Sequence, residues 1–180
     1  MKSKASMPIS TLDIEIAVAR HFDYRTNIIV PNVSWGLPGL RYEADLVVLR
    51  PTGWAIEVEI KVSADDIRQD LKKFHAHDYP YFCELWFAVP ESLACCSDIP
   101  DRAGILSVQI SKYARIFVTR VRPAKRRRAA RKFTENKRDK LLSLASMRTW
   151  TLKEHLKYQM NRSRYYASRD NIYANESPNI

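Results

Sequence analysis

The sequence predicts an α/β fold, a mixed central sheet flanked by helices, followed by a basic helical extension. Three observations carry this expectation. Two half-strands between Arg41 and Val62 alternate apolar and polar residues around a Pro-Thr-Gly turn, and capped, helix-periodic segments lie on either side of them. Charge is also divided along the chain: residues 1–120 hold 14 Lys+Arg against 15 Asp+Glu, whereas residues 121–180 hold 16 against 5.

The 180 residues, 46% hydrophobic, suffice for one buried core. The charge division places a near-neutral domain at 8–120 and a basic extension at 121–180. Three cysteines, two of them adjacent at Cys95 and Cys96, do not form a disulfide framework, so a reducing, cytoplasmic compartment is expected. No apolar run reaches the roughly 18 residues of a membrane span, and the N-terminus lacks the apolar stretch of a signal peptide.

The elements follow in order. Ser10 and Asp13 form a capping-box start, and Leu12, Ile16 and Ala19 recur at helical spacing, so a helix over 11–22 is expected with that face buried and Glu15 pointing elsewhere. Residues 27–35 are β-branched and aromatic, with Pro31 marking an edge strand or bulge. In the next strand Ala44, Leu46 and Val48 oppose Glu43 and Asp45; in the one after, Ile56, Val58, Ile60 and Val62 oppose Glu57, Glu59 and Lys61. Pro51-Thr52-Gly53 suits a three-residue hairpin loop that pairs Arg50 with Trp54. Asp45 then falls opposite Glu59, and Glu43 opposite Lys61.

Ser63 and Asp66 cap a helix with an Ala64, Ile67, Leu71, Phe74 stripe through about residue 76. Cys83–Val89 reads as a buried central strand, and 104–110 and 114–120 as two further strands. Beyond Pro123, helices are expected over about 134–147 and 151–160, with a frayed end from Arg169.

Like charges facing each other across a strand pair are destabilising, so Asp45 against Glu59, with Glu57 and Glu43 beside them, requires a compensating cation. Oxygen donors of this kind suit Mg²⁺ or Mn²⁺. Lys61 lies on the same face, where an ammonium can steady an attacking water or a scissile phosphate. The chemistry this describes is phosphodiester hydrolysis. Taken alone, an E-x-E-x-K strand reads more readily as an ordinary solvated strand face, since alternation by itself is common; the hairpin register and the D-x13-E-x-K spacing together favour the metal site.

The order helix, strands, capped helix, with Asp45 and then Glu59-Ile60-Lys61, resembles the PD-(D/E)XK phosphodiesterase superfamily, whose fold is restriction-endonuclease-like. Glu57-Val-Glu-Ile-Lys-Val-Ser63 with Asp66, Asp70 and Lys72, then Phe87-Ala-Val-Pro90, Ile99-Pro100 and Ala103-Gly-Ile105, is similar to MmcB-type DNA repair proteins. The resemblance covers about residues 42–108. It implies metal binding by Asp45, Glu59 and the Ile60 carbonyl, a catalytic Lys61, and a contribution from a first-helix glutamate, here Glu15. Ala44 stands where the superfamily has proline.

The implied activity is metal-dependent, endonuclease-type cleavage of DNA in repair or processing, with Glu15, Glu43 and Glu57 in support. The alternatives are a catalytically silent DNA-binding adaptor of the same fold and an RNA-acting nuclease. The basic extension marks a nucleic-acid partner, with Lys125, Arg126, Arg127, Arg128, Arg131 and Lys132 as contacts, joined by Lys72, Lys73 and His75 on the helix leaving the site. His75-Ala-His77-Asp78 lacks the spacing of a structural zinc site and reads more simply as a helix C-terminus whose histidines suit its dipole.

Overall fold

The computed structural model describes residues 9–34, 36–72, 77–111, 113 and 115–175. Two compact units divide the chain after Leu144. The first is an α/β unit built on a six-stranded mixed sheet in the order β1-β2-β3-β4-β5-β6. Its elements are α1 (Thr11–His21), β1 (Ile28–Val33), β2 (Ala44–Leu49), β3 (Ala55–Ile60), α2 (Ala64–Leu71), β4 (Phe82–Pro90), β5 (Gly104–Ile110) and β6 (Ile116–Arg122), followed by the start of α3 (Glu135–Asn175).

Local chemistry explains the boundaries. The Ser10 hydroxyl accepts from the Asp13 N–H while the Asp13 carboxylate accepts from the Ser10 N–H, so both donors are satisfied at the start of α1. The hairpin closes as its turn chemistry predicts: the Arg50 N–H donates to Trp54 O, the Gly53 N–H donates to Arg50 O, and Gly53 takes a φ of +83°. The register Leu46↔Val58, Val47↔Glu57, Val48↔Ile56 follows. β1 lies at one edge of the sheet, where Pro31 needs no N–H partner, and Asn32 bends it with a φ of +51°.

Strands β3, β4 and β5 run parallel in the middle of the sheet, while β1, β2 and β6 pair antiparallel with their neighbours. Ile14, Ala17 and Val18 of α1 pack on one sheet face with Leu46, Val48, Ile56, Val58 and Ile60. Ile67 of α2 packs on the other with Leu85, Phe87, Val89 and Ile105. Gly104 lies against Trp86, and a Cβ there would run into the indole.

Four sequence expectations change. Leu12 and Ile16 are exposed, because α1 carries apolar residues on two opposite sides and buries the one bearing the small Ala17. β3 ends at Ile60, so Val62 leaves the apolar face and is exposed. The two helices expected after residue 134 are one, since no glycine or proline interrupts 147–151.

The compact unit also runs past Arg120. The Arg122 guanidinium donates to the carbonyls of Pro100 and Ala103. The following segment is tied down by backbone bonds from Lys125, Arg127, Arg131 and Phe133 to Arg102, Cys83, Pro80 and Gly53. Phe133 and Leu141 are buried. Basic side chains therefore decorate a segment whose backbone and apolar residues belong to the domain.

The second unit is the remainder of α3, from Ala145. Every residue from Thr149 to Ser163 is exposed, including Trp150, Leu152, Leu156 and Met160. Among the described residues, no helix is long and apolar enough to cross a membrane.

Candidate metal centre

Glu57 and Glu59 occupy a central strand on the sheet face that α2 covers, and they are 0% and 1% exposed. The solvated-face reading therefore does not apply. Two carboxylates withdrawn from water at this depth carry a desolvation penalty of several kcal/mol each unless the surroundings compensate them.

Among the described residues, two cations meet them. Lys61 Nζ lies 2.6 Å from Glu59 Oε2, 3.4 Å from Asp70 Oδ1 and 3.5 Å from Asp45 Oδ2. Its backbone N–H donates to Ala88 O, continuing the β3–β4 pairing and fixing where the side chain starts. The second cation is His77, whose Nδ1 lies 2.9 Å from Glu57 Oε1 and whose Nε2 lies 2.7 Å from Asp70 Oδ2. Asp70 reaches both cations from α2, while Asp45 also accepts from the Ile60 N–H at 2.8 Å, which pins it across the hairpin.

These contacts set the protonation of the cluster. Burial, and next the charge of Asp45, push the Glu59 carboxyl up to about 8 despite Lys61. For Lys61, burial opposes the charge, but Glu59 and Asp45 outweigh it and hold the ammonium above its ordinary range. For His77, burial favours the neutral ring, yet the hydrogen bonds to Asp70 and Glu57 prevail and raise it to about 10. Glu15 is raised by partial burial and by Asp45, so α1 does bring this glutamate within electrostatic reach of the cluster.

Compensation is incomplete. Glu59 Oε1 is buried and lacks a hydrogen-bond partner; Glu57 Oε2 and the Tyr42 hydroxyl form no hydrogen bond of good geometry either, although the phenol lies close enough to Glu57 to interact with it. Burial, and then the charge of Glu57, hold the Tyr42 phenol far above its usual value. A buried acceptor left without a partner costs about 1–3 kcal/mol, more when charged, so these oxygens call for a water or an ion. Glu57, Glu59 and His77 each offer one donor atom within 4.8 Å of the others, and this buried group can hold a metal ion.

The structure thus gathers Asp45, Glu57, Glu59 and Lys61, with Glu15 nearby. Glu43 is exposed and, with Ser34, Leu37, Arg41 and Tyr42, lines a cleft of about 570 Å³ that meets the cluster only through Tyr42; β2 begins only at Ala44, so Glu43 lies outside the strand pairing that would set it opposite Lys61. Lys72 is exposed at the end of α2, and Lys73 and His75 lie outside the described residues.

In the basic run, Arg126 stacks on Trp54 at 4.4 Å, and Lys132 lies 5.5 Å from the same ring. Arg127 donates to the carbonyls of Asp78 and Tyr79. Lys125, Arg126, Arg128, Arg131 and Lys132 are exposed. Lys125 and Arg127 also line a narrow crevice together with Glu57 and His77.

His77 corrects the helix-dipole reading. α2 ends at Leu71, and His77 lies beyond it with a φ of +63°, buried between two carboxylates. The signal available in sequence was a histidine shortly after a helix that begins directly behind E-x-E-x-K. Its pairing depends on how far the chain travels after α2, which spacing does not specify.

No protein-family model matches the chain, and no curated protein matches its sequence. Among solved structures, it is similar to the SPO1766 protein of unknown function from Silicibacter pomeroyi, with a TM-score of 0.58 and 20% identity over 85% of this chain and 93% of that one. A second, the protein of unknown function AF1548, overlaps 51% of this chain and 60% of its own at a TM-score of 0.33 and 15% identity. The first of these likenesses is one of fold.

Proposed function

We propose that this protein is a metal-dependent phosphodiesterase of the PD-(D/E)XK type acting on nucleic acid, with DNA in repair or processing as the expected substrate. The observation that carries the reading is the convergence of Asp45, Glu59 and Lys61 beside a buried Glu59 oxygen without a partner. The element order α1-β1-β2-β3-α2-β4, with β3 and β4 parallel, supports it.

Asp45, Glu59 and the Ile60 carbonyl would hold Mg²⁺ or Mn²⁺, for which the orphaned oxygen of Glu59 is a fitting hard donor. When bound, such an ion polarises the phosphoryl group and offsets the charge that builds on its oxygens. Hydrolysis adds water across one P–O bond, so negative charge grows on the phosphoryl and leaving oxygens. Lys61, oriented by Glu59, Asp70 and Asp45, presents a fixed positive charge there. Asp45 is the more exposed of these carboxylates, so substrate approaches from its side. Exposed Lys125, Arg126, Arg128, Arg131 and Lys132 attract the phosphate backbone.

Native protein, Asp45→Ala and Lys61→Ala should be offered duplex, single-stranded and branched DNA and structured RNA with Mg²⁺ and with Mn²⁺. The native protein is expected to cut at least one substrate, and Lys61→Ala to lose about a hundredfold to a thousandfold in rate with binding retained. A native protein that binds these substrates but cuts none overturns the reading in favour of a silent nucleic-acid adaptor. That second reading draws on one observation: Lys61 and His77 already pair Asp45, Glu57, Glu59 and Asp70 internally.

A further inference from the structure

We propose that Glu57, Glu59 and His77 form an inner metal position that takes a divalent first-row transition ion, with His77 Nδ1 as its nitrogen donor and Asp70 as the positioning residue. This position lies behind the Asp45 side of the cluster. It shares Glu59 with the Asp45 side but adds Glu57 and His77, which the phosphodiesterase reading does not use as ligands, so it holds whether or not the Asp45 side cleaves phosphodiesters.

Four features converge. The three donors already lie within 4.8 Å of one another without an ion to draw them together. Glu59 divides its oxygens, with Oε2 on Lys61 and Oε1 without a partner; Glu57 has Oε1 on His77, while its Oε2 forms no hydrogen bond of good geometry although the Tyr42 phenol lies near Glu57. Both side chains are essentially fully buried, so the orphaned atoms cannot turn to bulk water.

The third feature is the histidine. A ligating imidazole usually hands its other N–H to a carboxylate, which fixes the tautomer and the ring orientation. Asp70 Oδ2, 2.7 Å from Nε2, meets that requirement and leaves Nδ1 as the donor facing Glu57. The present Nδ1···Glu57 contact needs a proton between the two atoms, and that proton leaves when an ion takes its place.

The fourth is backbone strain. His77 holds a φ of +63°, a region costly for a residue with a Cβ. Its carbonyl accepts from Arg102 Nη2 at 3.1 Å, and its ring lies edge-on to Tyr42 and Phe87. A strained conformation fixed from several sides is characteristic of functional positions.

One imidazole with two carboxylates suits Mn²⁺, Fe²⁺, Co²⁺ or Zn²⁺, whereas Mg²⁺ prefers an all-oxygen shell. The two sides of the cluster should therefore differ in the ions they accept.

The test uses the full chain after chelator treatment, titrated with Co²⁺ while visible absorption is recorded, and with Zn²⁺ in a calorimeter. Native protein should bind both, with Co²⁺ ligand-field bands that Asp45→Ala retains and His77→Gln loses. Asp70→Asn should weaken Zn²⁺ binding about 10- to 100-fold. Should His77→Gln fail to fold by circular dichroism, the imidazole nitrogen shifts of the native protein decide, since Zn²⁺ must move His77 Nδ1. No binding of either ion by native protein, bands unchanged in His77→Gln, or an unmoved His77 Nδ1 overturns the inference. Retained Co²⁺ bands in a protein that cuts no nucleic acid would sink the phosphodiesterase reading alone.

Discussion

The charges on β3 and those on α3 beyond Ala145 meet opposite fates. Glu57 and Glu59 are taken out of water, and each is held against a cation from its own chain. Arg148, Lys153, Lys157 and Arg162 belong to a unit in which almost every described side chain meets solvent. A buried charge is defined by its partner, and removing that partner leaves a penalty behind. An exposed charge already has water as its partner, so its energetic consequence appears when a polyanion arrives.

The sharpest break of this comparison is truncation. A chain ending at Leu144 should keep a cooperative unfolding transition, whereas one ending at Arg120 should not fold. The shorter chain loses buried Phe133 and Leu141, worth about 1.5–3 kcal/mol each, together with the backbone bonds of residues 125–133. Against a total stability of about 5–15 kcal/mol that loss is decisive. Thermal unfolding by circular dichroism distinguishes the two, and a stable chain ending at Arg120 would show that 121–144 is an appendage after all.

The same substitution in both regions gives the next largest contrast. Lys61→Met should cost about 3–5 kcal/mol in urea unfolding, because Glu59 and Asp70 lose their buried cation. Lys157→Met, on the exposed helix, should stay within about 0.5 kcal/mol of native. Equal effects would mean that the cluster is hydrated.

Salt dependence sharpens the other side. Affinity for DNA should fall with salt at a slope of about 0.9 per neutralised phosphate, and removing residues 145–180 should lower that slope by one such step per lost contact. An unchanged slope would assign the whole grip to the exposed basic residues between Lys125 and Lys132.

The last contrast is the response of the metal-free protein to pH. His77 is raised to about 10, so its contribution is fully present below its ordinary value of 6.5 and is lost as pH climbs through 10. Glu59, a carboxyl raised to about 8, acts in the same direction, since folding favours its protonated form. Stability in chelator should therefore decline between about pH 4.5 and 10, through Glu59 from 4.5 to 8 and through His77 from 6.5 to 10, where the folded state binds more protons than the unfolded one. His77→Gln should flatten the decline, and a native profile that rises over this range would contradict both shifts.

Much of this was legible locally. The capping box, the three-residue hairpin loop and the β2–β3 register each depend on a few adjacent residues whose backbone preferences are strong. The buried face of α1 was not legible, because a helix apolar on two sides leaves the choice to whatever packs on it. Nor was the end of the domain, because the composition of 125–132 describes side chains, whereas the domain is held there by backbone hydrogen bonds and by Phe133.

Local chemistry suffices for the hairpin that sets Asp45 across from Glu59 and for the strand that puts Glu57, Glu59 and Lys61 on one side, since a period of two and a tight turn leave little freedom. Long-range packing sets the rest: α2 covers this side, Asp70 links Lys61 to His77, and Glu59 Oε1 remains buried without a partner. The reason is physical: alternation specifies which side chains share a face, but burial, and with it the strength of every charge in the cluster, depends on what the rest of the chain packs over that face.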